Sequence, residues 1–421
     1  MSKNKKFQKT LKQEKGITLI ALVITIVILI ILATVSINVV LGEGGLIQRA
    51  QEGKSLTDQA QTDEQEELTG AEEYINGILV GIEDQNPPAT QTPKVEDVKG
   101  GEAFNEKTKV VDSKNNEIWV PKGFRIASDS GNTVQQGIVI EDVNASTDTA
   151  VQGSQYVWIP VGTFTKDDGS PSGEIKLGRY TFDESGNPEP VQYAANYKDQ
   201  SKSIVINSLY KELVDYIPGV PSAEKNGLNA TAKDLKGFID SVSSNGGYYI
   251  GRYEASYASG SSTADYKAAS KISNGYSSSM SYTPGRLWNS ITQLDASKVA
   301  INTYAGNASV KSDLINSYAW DTAIVYIQEA GNSNYANQTS KNSSLANTGK
   351  NSDEVCKIND MASNINEWTT EYSSLTGSYI ASPCSYRGGS YHSRGYYVAS
   401  RISNNATYSN GYIGFRLQLY V

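Results

Sequence analysis

The strongest feature of the hydrophobic pattern is residues 17–40, ITLIALVITIVILIILATVSINVV, a run with no charged side chain. As a helix it is about 36 Å long, enough to cross a bilayer with some tilt. The preceding residues 1–16 are polar and Lys-rich, which orients that end towards the cytoplasm. Gly42, Gly44 and Gly45 interrupt the helix, and residues 46–80 resume a helical but acidic pattern of a solvated stalk. Residues 84–98 carry Pro87, Pro88 and Pro93 among small polar residues and read as an extended linker.

From residue 99 to 421 the pattern changes to short apolar runs between turn residues. Residues 117–120, 137–140, 156–159 and 248–250 read as strands. Two helices are expected. Thr231 caps the first, whose face is Leu235, Phe238, Ile239 and Val242, stopped by Gly246-Gly247. The second shows Trp320, Ala323, Ile324 and Ile327 on one face and ends at Gly331. Residues 257–284 and 331–352 read as long Ser/Asn/Gly/Tyr loops. The sum is an α+β, loop-rich domain behind a membrane-type helix.

Composition sharpens this picture. Net charge is −8, or −13 once the Lys-rich residues 1–16 are set aside, which argues against a nucleic-acid partner. There are 27 Tyr against 7 Phe, a balance suited to wet interfaces. The single His392 excludes sites built on several imidazoles. It leaves a Ser-His-Asp triad formally open, although no G-x-S-x-G elbow accompanies it. A lone His is more often an exposed polar residue. Cys356 and Cys384 either pair outside the cell or stay free; two Cys make no disulfide framework.

Lys15-Gly16 followed by Ile17-Thr18-Leu19-Ile20 resembles the prepilin cleavage signature of type IV pilins and pseudopilins. That resemblance implies cutting between Gly16 and Ile17 by a prepilin peptidase, with the apolar helix kept as an anchor or as packing among pilus subunits. An uncleaved signal anchor is the plainer reading of the same residues. The family usually has Glu at the fifth position after the cut, where this chain has Ala21. A minor or tip subunit, or a membrane-resident protein, fits that departure better than a major subunit. The implied division is a leader 1–16, a helix and stalk 17–83, a linker 84–98 and a head 99–421. The implied place is the cell membrane with an extracellular head, or the pilus.

In the head, landmarks follow in order: Tyr156–Val161, Tyr249–Glu254, Ala319-Trp320-Asp321, Asp360–Thr369, Arg387-Gly388-Gly389-Ser390 and Gly414-Phe415-Arg416. This succession resembles the formylglycine-generating enzyme (sulfatase-modifying factor) domain, a variant of the C-type lectin fold, over residues 115–421. The family's oxidase uses two cysteines within C-x-x-x-x-C-A-A-R. Here the aligned positions are Ser393 and Val398, before Arg401. Related sulfoxide synthases need a three-His iron site. The resemblance therefore implies a non-catalytic member, with no copper or iron expected. It also implies a structural Ca²⁺ held by the side chains of Asp360 and Glu367 and the carbonyls of Ser363 and Ile365, with hard oxygen donors on a turn. Those carboxylates equally serve as acceptors for the loop backbone. Arg387, Gly388, Gly389 and Trp368 read as structural, and Arg416 as a buried fork on loop carbonyls.

Between the fixed points lie Tyr386, Tyr391, His392, Ser393, Tyr396, Tyr397, Ser403, Asn404, Asn405, Tyr408, Asn410 and Tyr412. Rigid Tyr with adaptable Ser and Asn is the chemistry of paratopes, and also of ordinary solvated loops. The placing of this segment just before Gly414-Phe415-Arg416 resembles the variable proteins of diversity-generating retroelements, which implies diversified positions. The expected function is a pilin-like surface protein, an adhesin or receptor, binding a host or cell-surface protein or glycan. An enzyme of the formylglycine family and a purely structural minor pilin are the alternatives.

Overall fold

In the computed structural model, residues 92–190 and 237–421 are described, apart from 263, 278, 281, 341–342, 351–352, 373–383, 394 and 406. The chain divides into two units, Met1–Thr90 and Gln91–Val421. The described residues all lie in the second. The cleavage junction Gly16–Ile17, the apolar run, the acidic stalk, Thr231 and Leu235 lie outside them. Among the described residues no helix is long and apolar enough to cross a membrane.

The packed chain begins earlier than the linker reading predicts. Val95 is buried at the start of a helical turn, Val95–Val98, and Val111 N–H donates to the Pro93 carbonyl at 3.0 Å. Val95 and Val98 fall at i and i+3, so one face of this turn docks on the head. Then come β1 (Thr108–Val111) and β2 (Glu117–Val120), an antiparallel ribbon. They are followed by β3 (Phe124–Ile126), β4 (Val139–Asp142), β5 (Gln155–Pro160), β6 (Tyr180–Phe182) and β7 (Pro188–Pro190). Helix α1 covers residues 237–245 and leads into β8 (Gly247–Gly251), β9 (Ser256–Ser259) and β10 (Lys267–Ala269). Helix α2 (Gln293–Thr303), β11 (Lys311–Leu314) and helix α3 (Ser317–Glu329) come next. The last stretch holds β12 (Glu354–Val355), β13 (Ile358–Asn359), β14 (Asn366–Tyr372), β15 (Cys384–Arg387), β16 (Arg401–Asn404), β17 (Ile413–Phe415) and β18 (Leu417–Tyr420).

Two sheets organise these elements. The larger has the order β11-β18-β8-β5-β4-β3, antiparallel throughout. Every residue of β8 and β18 is buried, which is why these strands read as continuous rather than alternating apolar runs. Helix α1 seals one region through Phe238, whose ring meets Tyr248 at 5.2 Å and Tyr420 at 5.6 Å, both edge-on. The smaller sheet has the order β16-β15-β14-β17, with β17 parallel to β14, and it carries the candidate site.

Helix α3 forms where its pattern places it. The Asn316 side chain caps it by accepting from Ala319 N–H at 2.9 Å, and Gly331 beyond its end has φ +120°. Helix α2 is not predicted by the apolar pattern, although Thr292 and Asp295 form a reciprocal cap at 2.8 and 3.1 Å. The strand expected at 137–140 starts later, at Val139. Gly137 has φ +93°, and a Cβ there would meet the Cys356 carbonyl oxygen at 2.1 Å. The expected loop 257–284 contains most of β9 and all of β10, and 331–352 contains a 3-10 turn at Tyr335–Asn337. Cys356 and Cys384 are both free.

Candidate functional site

Two loops close on each other to make the frame. Residues 360–368 turn tightly, with Asp360 at φ +66° and Asn364 at φ +61°, a region Asp and Asn tolerate. The carbonyls of Met361 and Ala362 then lie against Gly388 and Gly389. A Cβ on either glycine would come within 2.5 and 2.3 Å of those oxygens. Asn366 Nδ2 donates to the Gly388 carbonyl at 2.7 Å, and Tyr391 N–H to the Asn364 carbonyl at 2.9 Å. The double glycine is thus the surface on which the 360–368 turn rests.

Buried charge locks the strands. Arg416 spans the Glu367 carboxylate, with Nε at 3.0 Å and Nη2 at 2.6 Å, and donates at 2.7 Å to the carbonyls of both Gly251 and Asn359. The carbonyl bonds are the buried fork the sequence predicts; the ion pair to Glu367 is not predicted. A second group joins helix α3 to β14, β15 and β16. Asp321 is ion-paired through one oxygen to Arg387 and through the other to Arg401. Glu371 completes the ring, meeting Arg387 at 3.2 Å and Arg401 at 2.9 Å, while Arg179 approaches it at 3.4 Å. Burial acts to raise the Glu371 carboxyl, but Arg401, Arg387 and Arg179 together outweigh it and hold it below its ordinary value. Arg387 and Arg401 also donate to the carbonyls of Ser400 and Tyr180. The ring fixes both ends of the 388–400 segment.

The two carboxylates of the expected calcium set already accept from the protein's own donors. Both oxygens of Glu367 face Arg416, and Asp360 Oδ2 accepts from Thr348 Oγ1 at 2.9 Å and Gly349 N–H at 2.7 Å. Ser363 Oγ donates to Asp353 at 2.7 Å, and Ile365 N–H to Glu254 at 3.1 Å. A cation bound through Glu367 has to displace the Arg416 guanidinium.

Asp353 lies under this loop. Burial first, and Asp360 nearby, push its carboxyl up to about 6 from 3.8. A folded value above the unfolded one means that the native state holds the proton more tightly. This group therefore adds stability as pH falls from about 6 to about 4, and the gain is lost as pH rises through 6. Asp353→Asn is expected to remove that dependence, about 3 kcal/mol at most between pH 7 and 4. Urea denaturation of both proteins across that range measures it. A wild-type minus variant difference that does not change with pH contradicts the assignment.

On this frame the Tyr-rich segment converges. The His392 ring stacks on Tyr412, with centroids 4.5 Å apart and planes at 12°, and Tyr391 meets His392 edge-on at 6.5 Å. The hydroxyls of Tyr408 and Tyr412 share a hydrogen bond of 2.7 Å, and Asn410 Nδ2 donates to Tyr408 at 3.3 Å. Burial first, then Tyr408, Tyr396 and Tyr391, push the Tyr412 phenol upwards. Burial likewise raises Tyr386, which also feels Tyr412, Tyr408 and Tyr396 and bonds Asn404. Tyr386, Tyr391, His392, Tyr396, Asn404, Tyr408, Asn410 and Tyr412 therefore form one group of neighbouring rings and amides.

The other predicted positions play different parts. Tyr397 pairs with Thr339 by backbone, and Asn405 shapes its own turn by accepting from Thr407. Ser403 pairs with Ser385 on the β15–β16 ladder. Ser393 is half-buried beside His392, and Val398 is fully buried with its carbonyl accepting from Trp320 Nε1 at 3.1 Å. Neither supplies a thiol. Burial pushes the Cys356 thiol up to about 12 and raises Cys384 as well, so neither cysteine is a ready nucleophile. Sequence reasoning missed Glu254, Asp353 and Glu371, because a carboxylate far along the chain carries no local signal of the loop it will support.

Residues 296–419 match the family model of the sulfatase-modifying factor enzyme 1-like domain. The matched stretch contains helix α3, the 360–368 turn, the double glycine and Gly414-Phe415-Arg416, and it leaves residues 115–295 unmatched. No curated protein matches the chain. Among solved structures, the chain is similar to CarF at 16% identity, covering 42% of this chain and 87% of that one, TM-score 0.29. It is similar to PvdO from Pseudomonas aeruginosa at 10% identity, covering 64% and 95%, TM-score 0.34. It is also similar to Treponema denticola variable protein 1 at 10% identity, covering 64% and 97%, TM-score 0.27.

Proposed function

We propose that this chain is a cell-surface, pilin-like ligand-binding protein, an adhesin or receptor whose head recognises rather than transforms its partner. The observation that carries this reading is the convergence of Tyr386, Tyr391, His392, Tyr396, Tyr408 and Tyr412 into one aromatic group beside a frame locked by buried ion pairs. Rigid rings on a rigid base lose little conformational entropy on binding, the condition for a recognition surface. The apolar run 17–40 and the Gly16–Ile17 junction supply the display. The position of the segment also supports its diversification, which a near-repeat template and a reverse transcriptase beside the gene would accompany.

The test is a host-protein and glycan array probed with the detergent-solubilised full chain. Tyr391, Tyr396, Tyr408 and Tyr412 together changed to Ala are expected to weaken the captured interaction by about 100-fold or more, the scale of losing interface hot spots. Unchanged binding in that variant transfers the role to a structural filament subunit. The family match favours a second, enzymatic reading. Formylglycine formation on a sulfatase peptide decides for it, although Ser393 and Val398 at the thiol positions speak against that chemistry.

A further inference from the structure

A cavity of about 490 Å³ opens on the head, and none of its lining residues belongs to the Tyr-rich segment. One wall is the turn between β2 and β3, Lys122-Gly123, together with residues 144–147 after β4. The other is the end of helix α2 and the connection to β11, residues 303–309, with Lys267 of β10 beside it. The volume is in the range of small-molecule sites.

The walls are pinned to each other. Asn307 Nδ2 donates to the Ala145 carbonyl at 2.9 Å, while its Oδ1 accepts from Ser309 N–H at 2.7 Å and Val310 N–H at 3.2 Å. The Gly123 carbonyl accepts from the amides of Val143 and Asn144 at 3.0 and 3.1 Å. The buried Tyr304 hydroxyl donates to Asp142 Oδ2 at 2.8 Å. The space is thus held open by hydrogen bonds between its own walls.

The chemistry of the lining points to a ligand. Its two charged residues, Lys122 and Lys267, are both cationic, in a chain of net charge −8. Lys267 has an acidic neighbour in Asp148 at 3.9 Å, but that carboxylate already accepts from Ser259 Oγ and, at 2.9 Å, from Ala150 N–H. Asp142 lies behind Tyr304, where it also accepts from the amides of Ala145 and Ser146 and feels the charge of Lys271. Helix α2 ends at the cavity and brings about half a negative charge. Against these stands Lys122, which is exposed and unopposed. Among the described residues its ammonium has no hydrogen-bond or ion-pair partner, and neither do the side chains of Asn144, Thr147 and Ser309. An unopposed cation among amides and hydroxyls, which both donate and accept, matches a molecule that carries an anionic group and several hydroxyls. We propose that this cavity binds a small acidic sugar, its carboxylate or phosphate held by Lys122 and Lys267 and its hydroxyls by Asn144, Thr147 and Ser309.

Isothermal titration calorimetry on the detergent-solubilised full chain tests it, with glucuronate, glucose 6-phosphate, glucose and inorganic phosphate as probes. At least one of the two sugar acids is expected to bind about tenfold or more tightly than both glucose and inorganic phosphate. Which of them does so distinguishes a carboxylate from a phosphate ligand. Lys122→Gln, at an exposed position, is expected to weaken that binding about tenfold. Ala305→Trp, also at an exposed lining position, is expected to abolish it by filling the space, with both lysines kept. Tyr391→Ala/Tyr408→Ala is expected to bind the acid as wild type does. Binding of neither acid, equal binding of glucose or of inorganic phosphate, or undiminished binding in Lys122→Gln overturns the site. Loss in the Tyr391/Tyr408 variant alone overturns it too, because the acid then sits on the Tyr-rich face. The proposed function is read separately, by array capture, so either result can fail without the other.

Discussion

Asp321→Ala is expected to lower the unfolding free energy of the head by about 3–5 kcal/mol, the range for removing one partner of a buried charge group. Asp321 is fully buried and neutralises two equally buried guanidiniums, Arg387 and Arg401. Without it, Glu371 alone faces those two and Arg179, and a positive surplus stays sealed from water. An alanine also opens space that the rigid ring does not fill. The comparison is Glu329→Ala, which removes a partly exposed pair with Lys166 at 3.8 Å and an exposed bond from Gly173 N–H at 2.7 Å, and is expected to cost less than about 1 kcal/mol. Urea denaturation followed by tryptophan fluorescence separates the two. A loss at Asp321 as small as that at Glu329 means the ring contributes nothing to the frame.

Gly388→Ala is expected to cost about 2–5 kcal/mol. Its φ of +78° already disfavours any L side chain by about 1–2 kcal/mol. The added methyl would lie 2.5 Å from the Met361 carbonyl oxygen and 3.3 Å from the Trp320 ring, and backbone does not yield as a flexible side chain does. Overpacking of this kind adds about 1–3 kcal/mol. Gly395→Ala is the control, because an added Cβ there meets nothing within 4 Å, and its melting temperature is expected to stay close to wild type. If Gly388→Ala melts like Gly395→Ala, the contact between the 360–368 turn and the double glycine is not a constraint on the fold.

These two residues also mark what the sequence allowed to be read. Gly388, Gly389, Trp368 and Arg416 were legible because they stand in short motifs whose order identifies a frame, and all are buried or positively turned as expected. The Tyr-rich group was legible from composition, which names the chemistry but not which rings touch. Tyr397 and Asn405 share that composition and sit elsewhere in the hydrogen-bond network. The ion ring was not legible as a ring. Asp321 lies on a helix, Glu371 and Arg387 on neighbouring strands and Arg401 on a third, and charge pairing across such separations has no period in sequence. Helix α2 escaped because its buried residues mix Leu294, Ala296, Val299 and Ala300 with polar Gln293, Ser297 and Thr303, so its apolar contrast is weak.

The order of strands in the larger sheet has a consequence for how the head is made. Strands β3, β4, β5 and β8 are neighbours and all precede residue 252, whereas β8 takes its other partner, β18, from residues 417–420. Until β18 is in place, a nascent head presents the free edge of β8, a strand buried along its whole length in the finished fold. Such an edge is a template for pairing with other chains, and its closure waits on a loop of more than a hundred and sixty residues. High contact order of this kind slows folding and prolongs exposure. The most vulnerable moment in making the head therefore lies between the synthesis of β8 and the arrival of β18.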